Sequence, residues 1–267
     1  MHEFSEICQA RPRVCAWMDP STGRLPGVNP LTDDDWLFRD GVFAEQMAYR
    51  DWLVEHRRDV VFKALDEVGP AAVELLSVVT GVLVQREGYE VGEKNVVRPD
   101  GVRIALDDDH PLLIAGRLTQ HDLCVMEKLG DEHVLMGASL FFPSSWSLEE
   151  KVGRPLITIH IPIEEYTEDI ATRVQRMFDM IRVDRPLWRA NTLIYENPDL
   201  HQPRPSGTRD VPAPDQRLWL RSEFQGLKRL PDTDAVVFSI HNSVVPFETL
   251  SDKEQSSLKA SRHWRAQ

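Results

Sequence analysis

Apolar residues recur at helical spacing in the first third of the chain. Over residues 43–68 one helix face collects Phe43, Met47, Val54, Val61 and Leu65. Gly69 and Pro70 interrupt this pattern, and a second amphipathic stretch follows over residues 71–85. The pattern therefore predicts a helical part over residues 41–88.

From about residue 100 the apolar residues fall into shorter runs typical of β-strands, separated by turns such as Gly130-Asp131. The predicted strands are residues 102–106, 111–118, 123–128, 133–142, 156–163, 187–194, 218–227 and 235–241. One long amphipathic helix, capped by Thr167, is inserted among them, and a polar helix over 251–263 closes the chain.

Hairpin-like spacing without repeated strand–helix–strand units favours an α+β fold over a doubly wound one. We expect an antiparallel sheet part over 100–250 within a single domain of residues 41–267. Residues 1–40 are rich in proline, glycine and aspartate, which predicts an extended N-terminal arm.

Composition narrows the class of partner. The chain has 267 residues, of which 42% are hydrophobic, and this suffices for a real core. Its net charge of −12 argues against a nucleic acid or an anionic membrane as the partner.

No apolar run approaches the roughly 18 residues of a membrane span, and the three cysteines form no Cys-x-x-Cys pair. We therefore expect a cytoplasmic protein with reduced thiols.

A histidine in the predicted strand 156–163 is a candidate metal ligand. Side chains alternate between the faces of a strand, so the isoleucines Ile157, Ile159 and Ile161 would face the core. His160 would then point to the other side, into a pocket or into solvent. A half-exposed histidine without a function remains the alternative, and the strand pattern alone favours it.

Polar residues also alternate along two later strands. Arg221, Glu223 and Gln225 share one face of strand 218–227, and Arg189 and Asn191 share one face of strand 187–194. Such stripes cover a solvated sheet face or line a polar cavity. In a cavity, arginine side chains could bind carboxylates in a bidentate manner, as could Arg229 beyond the strand end.

Five short motifs occur in one order along the chain. They are Pro-Ser-x-Trp at 143–146, Lys-x-Gly at 151–153, Ile-His-x-Pro at 159–162, Arg-x-Asn at 189–191 and Arg-Leu-Pro at 229–231. With these motifs the chain, from about residue 43 to 250, resembles the haem-dependent oxidative N-demethylase family. The resemblance implies a PAS-like fold that binds haem b, and O2-dependent oxidation of an amine with electrons from an external donor.

The resemblance also implies roles for individual residues. His160 would be the proximal ligand of the haem iron. Glu223, together with Lys151, is the candidate proton donor; the alternatives are that Glu223 is a salt-bridge partner of Arg221 and Lys151 a surface charge of a helix. The candidate haem-binding arginines are Arg189, Arg221 and Arg229. The candidate substrate-binding residues are Asn191, Gln225 and Trp146.

The chain departs from the family pattern next to these residues. Asn191-Thr192 stands where the family usually has Asn-Trp, and residues 223–226 read Glu-Phe-Gln-Gly where the family usually has Glu-Arg-Gln-Thr. The altered motifs slightly favour N-oxygenation of an amino-acid-like amine over oxidative N-demethylation. A haem-PAS gas or redox sensor and a haem-free PAS-like scaffold are the alternatives from other classes.

Overall fold

The computed structural model describes residues 7–22, 27–160, 168–204, 217–261 and 264, with only the backbone of 160 and 168–171. The helices in these ranges are α1 (Phe43–Val61), α2 (Gly69–Leu83), α3 (Pro111–Leu118), α4 (Leu148–Lys151), α5 (Leu156–His160), α6 (Glu168–Met180) and α7 (Asp252–Ala260). The strands are β1 (Asn29–Pro30), β2 (Phe62–Ala64), β3 (Glu90–Val91), β4 (Asn95–Val97), β5 (Arg103–Ala105), β6 (His121–Leu129), β7 (Glu132–Ser139), β8 (Leu187–Tyr195), β9 (Trp219–Arg229) and β10 (Val236–Pro246).

The main sheet has seven strands in the order β1-β8-β9-β10-β6-β7-β2, and each neighbouring pair is antiparallel. The hairpin β6–β7 is followed by α4, α5 and α6, and the chain then returns through β8, β9 and β10 to pair with β6. A separate small sheet has the order β3-β4-β5. The predicted α+β class with an antiparallel sheet is confirmed.

Most predicted elements are also confirmed. Helices α2, α6 and α7 and strands β6 to β10 lie where the apolar pattern placed them, and predicted strand 102–106 is the short β5. The predicted helix 43–68 is confirmed as α1 only up to Val61, because residues 62–64 form strand β2, which pairs with β7. Gly130 forms the β6–β7 turn with a φ of 64°, in the left-handed region that glycine adopts without strain. Among the described residues, no helix is both long and apolar enough to cross a membrane.

The predicted strand 111–118 is wrong, because these residues form helix α3. Pro111 occupies the first turn, where its missing N–H costs nothing, and the His110 ring accepts a hydrogen bond from the Leu112 N–H at 3.2 Å. Nearly every side chain of α3 is buried. A short helix buried on all sides has no polar face, so its apolar run resembles that of a buried strand.

The predicted strand 156–163 is wrong over its described part, because α5 is helical. The Ile159 N–H donates to the Pro155 carbonyl at 3.0 Å, and Leu156 is buried while Ile157 is 42% exposed. The isoleucines therefore do not form one core face. Residues 161–167 lie outside the described part of the chain.

The described part of the N-terminal arm packs against the main sheet. Strand β1 pairs with β8 and forms one edge of the main sheet, and the buried Trp36 donates a hydrogen bond from Nε1 to Ser239 Oγ at 3.2 Å. A Cβ atom at Gly226 would lie 3.4 Å from the Trp36 ring and 2.6 Å from Ser239 Oγ. The absence of a side chain at Gly226 therefore lets the arm approach the sheet closely.

The two faces of the main sheet carry different cores. The arm face, so named here, packs Leu123, Val125, Phe224 and Val237 against Trp36 and against helices α2 and α3. The helix face packs Cys124, Met126, Leu227, Val236 and Ile240 against α4, α5 and α6. The polar residues predicted for a site lie on the helix face, because they alternate with Phe224 along β9.

Candidate active site

Strand β9 brings three predicted site residues together on the helix face. Arg221, Glu223 and Gln225 are 1%, 6% and 7% exposed, although each has a polar side chain. Gln225 Nε2 donates to Glu223 Oε2 at 2.9 Å, and Arg221 Nε lies 3.6 Å from Glu223 Oε1. The predicted polar stripe is therefore buried, and it centres on one carboxylate.

Strand β8 adds the next two residues. The strand register places Asn191 opposite Glu223 and Arg189 opposite Gln225, so all four side chains share a face. Asn191 Nδ2 lies 3.5 Å from Glu223 Oε2, and both β8 residues are half-buried. We call Arg189, Asn191, Arg221, Glu223 and Gln225 the strand cluster.

One hydrogen-bond acceptor of the strand cluster has no partner among the described residues. Gln225 Oε1 is buried and has no hydrogen-bond partner in the described part of the protein. A buried amide oxygen without a partner costs free energy, so it indicates a ligand or a water at that position. Together with the acceptor-only carboxylate of Glu223, it suits a ligand that donates hydrogen bonds, such as an ammonium group.

Lys151 and Trp146 lie on the segment after β7, and Trp146 packs against the apolar residues of the helix face. The Lys151 Nζ is 4.6 Å from the centre of the Trp146 ring, which gives a cation–π contact. Burial lowers the pKa of Lys151 to about 8, against the opposing effects of Glu150 and Cys124. Lys151 can therefore exchange its proton near neutral pH.

The rest of the helix face is apolar. Its side chains come from the strands and from the covering helices, and they include Cys124, Met126, Ile240, Leu156, Phe178 and Ile181. Burial in this environment raises the pKa of the Cys124 thiol, so it stays protonated and unreactive. An apolar wall beside a polar cluster is a common composition of small-molecule sites.

Two predicted carboxylate-binding arginines have backbone partners instead. Arg221 donates to the carbonyls of Leu200, at 3.0 Å, and Phe142, and to Asn242 Oδ1 at 2.8 Å. Arg229 donates to three carbonyls, two of which, on Phe178 and Ile181, end helix α6. These contacts use the guanidinium groups to join segments of the fold.

His160 is the last residue of α5, and its backbone follows Ile159, which packs on the apolar wall. The His160 side chain and residues 161–167 lie outside the described part, so the ligand assignment stays a prediction. Within the described ranges, no three His, Cys, Asp or Glu side chains converge on a metal site.

Three buried polar residues beside the cluster were missed by sequence reasoning: Arg50, Asp122 and Asn242. Their side chains are at most 1% exposed, and Asp122 and Asn242 lie on the helix face through their pairing with Ile240 and Glu223. Asp122 was the signal available in the sequence, because it is a charged residue directly before the apolar run 123–128.

Two open surface grooves, of about 580 and 570 Å³, lie beside Trp52 and Phe38, away from the strand cluster.

Comparison with known protein families gives a match over most of the chain. A family described as haem-dependent oxidative N-demethylase, alpha subunit-like, matches residues 27–266. The match starts within the described arm and includes every residue of the strand cluster, together with Trp146, Lys151 and His160. No curated protein matches the chain.

Proposed function

Because the chain belongs to the haem-dependent oxidative N-demethylase, alpha subunit-like family, we propose that it oxidises an aliphatic amine with haem and O2. The observation that carries the proposal is the buried carboxylate of Glu223, which lies beside the unpartnered acceptor Gln225 Oε1. These acceptors suit an ammonium group, and the family supplies the oxidative chemistry.

The residues on the helix face fit a haem group in composition. An apolar wall, the half-buried cation Lys151 and the half-buried Arg189 suit a flat apolar ring with carboxylate substituents. His160 would ligate the iron, and Arg189 would pair with a carboxylate of the haem. Haem bound in this way supplies oxygen activation, with electrons from an external donor.

The chain's own residues would bind the amine and move its proton. An aliphatic amine resembles lysine, with a pKa of about 10.4, and is therefore protonated at neutral pH. Glu223 and Gln225 would hold the ammonium, and the apolar wall would lower its pKa and favour the neutral form that is oxidised. Lys151 would deliver protons near neutral pH, and Trp146 would pack against the substrate.

We further propose that β6 to β10 with helices α4 to α6 form the PAS-like unit that the family implies. The strand order β8-β9-β10-β6-β7 and the helices inserted between β7 and β8 support this assignment. The product is either the nitro compound of an amino-acid-like amine or formaldehyde from an N-methyl group. The altered residues Thr192, Phe224 and Gly226 favour the first.

The test starts with absorption spectra of protein purified from cells fed a haem precursor. We expect a stoichiometric Soret band that the variant His160→Ala weakens. An amine panel is then assayed for formaldehyde and for nitro products. We expect Glu223→Gln to weaken amine binding roughly tenfold to a hundredfold, since a hydrogen bond to a charged group is lost.

The matched control is Glu248→Gln, because Glu248 is an exposed glutamate paired with Arg217 away from the strand cluster. It should keep the parent affinity. A protein that takes up no haem would contradict the proposal. A protein that binds haem and O2 but oxidises no amine would indicate the sensor instead.

A further inference from the structure

We propose that Arg50, Asp122, Asn242 and Arg221 form a positioning network that holds the two walls of the amine site together. The strand wall carries Glu223, and the loop wall is the segment 140–151, which carries Trp146 and Lys151. The inference rests on the proposed function only in calling this space an amine site, because the network itself is argued from contacts within the fold.

Buried hydrogen bonds link Arg50 to Arg221, and an ion pair continues the path to Glu223. Arg50 Nη1 donates to Asp122 Oδ1 at 2.8 Å, and Asn242 Nδ2 donates to Asp122 Oδ2 at 3.4 Å. Arg221 Nη2 donates to Asn242 Oδ1 at 2.8 Å, and Arg221 Nε lies 3.6 Å from Glu223 Oε1. The path therefore runs from helix α1 through the sheet to the carboxylate of the strand cluster.

The same residues fix the loop wall at Phe142. Its N–H donates to Asp122 Oδ2 at 3.1 Å, and its carbonyl accepts a hydrogen bond from Arg221. The preceding Phe141 N–H donates to Asp122 Oδ1 at 2.9 Å. Phe142 is thus held on both sides by the residues that reach Glu223, and Trp146 follows four positions later.

The buried ion pair of Arg50 and Asp122 contributes more to positioning the segments that it joins than to the free energy of unfolding. Arg50 and Asp122 have fully buried side chains, and Arg50 also donates to the carbonyls of Gly116, at 3.1 Å, and His121, at 2.6 Å. A buried ion pair adds little net stability, because desolvation offsets the attraction between its charges. Its directional bonds nevertheless restrict the segments that they join.

The test is Asn242→Leu, which removes the side-chain link between Asp122 and Arg221 at similar volume and leaves these two residues connected by their contacts with the Phe142 backbone. The first readout uses haem-free protein and measures the pH dependence of Lys151 acylation by mass spectrometry. A loosened loop wall exposes Lys151, so its pKa should rise from about 8 toward its ordinary value of 10.5. The second readout is the binding of butylamine to the haem-loaded protein, which should weaken about tenfold.

Ser222→Ala is the matched control, because Ser222 is a buried neighbour of Arg221 and Glu223 on the arm face. It should change neither readout. If Asn242→Leu does not fold, the double variant Arg50→Met/Asp122→Leu removes both charges of the pair and takes its place.

An unchanged Lys151 titration in a folded variant would overturn the positioning network. A shifted titration in a protein that takes up neither haem nor amine would support the network, and the proposed function alone would fail.

Discussion

The two faces of the main sheet bury polar groups in different ways. On the helix face, hydrogen bonds connect Arg50, Asp122, Asn242 and Arg221 in one path, which an ion pair extends to Glu223. On the arm face, the buried rings of His121 and His241 pack against Phe38, and His241 Nε2 lies 3.3 Å from Asp40 Oδ2. The first arrangement is a chain of directional contacts between side chains, and the second is mainly a set of ring contacts with one ion pair.

The arm face is closed by an aromatic cluster. Phe38 lies 4.3 Å from the His241 ring and 5.0 Å from the His121 ring, measured between ring centres, and the Arg13 guanidinium covers Phe38. Burial alone would raise the pKa of Asp40, but His241 and hydrogen bonds from glutamines lower it to about 2. An ionised Asp40 therefore anchors the arm to the main sheet.

The largest effect should come from breaking the charged pair behind the helix face. Asp122→Asn leaves the Arg50 guanidinium buried without its counter-ion, so we expect a loss of about 3–5 kcal/mol in the free energy of unfolding. Urea denaturation measures it. Asp109→Asn, at the more exposed pair with Arg58, is the control and should cost at most about 1 kcal/mol. Equal losses of stability in the two variants would contradict the expected difference between the buried and the exposed ion pair.

A smaller loss should follow from separating the arm from its face. A methyl group at Gly226 would lie 2.6 Å from Ser239 Oγ and 3.3 Å from the Leu31 side chain. We therefore expect Gly226→Ala to cost about 1–3 kcal/mol and to speed proteolysis within residues 27–40. Gly41→Ala, with open space around its Cβ, should leave the melting temperature nearly unchanged. If the arm of Gly226→Ala resists protease as well as the parent does, the close approach is not required.

The sequence predicts the helix face and the arm face to different extents. The alternation of Arg221, Glu223 and Gln225 along one strand was enough to place them on a common face, which the structure confirms. The burial of these three side chains could not be predicted from the alternation, because it depends on segments far away in the chain. Asn242 reaches Asp122 across 120 residues, and no local pattern records that pairing.

Local patterns also failed at two short helices. Residues 111–118 and 156–160 are apolar and rich in leucine and isoleucine, and both were predicted as strands although both are helical. Helix α3 is almost fully covered and has no polar face, while the five residues of α5 are too few to show a 3.6-residue period, so only the caps distinguish these segments from strands. His110 and Pro111 form such a cap at α3, and Pro155 directly precedes α5.

The smallest effect should appear only in acid, on the arm face. Burial, together with the charges of His241, Arg50 and Arg13, lowers the pKa of His121 well below 6.5. The unfolded chain therefore binds one more proton as the pH falls below about 6.5, and the free energy of unfolding declines until the folded-state pKa is passed. His121→Phe should remove up to about 1.4 kcal/mol per pH unit from this slope. The control is His56→Phe, at an exposed histidine, which should leave the slope unchanged. A parent-like slope in His121→Phe would mean that another group drives acid unfolding.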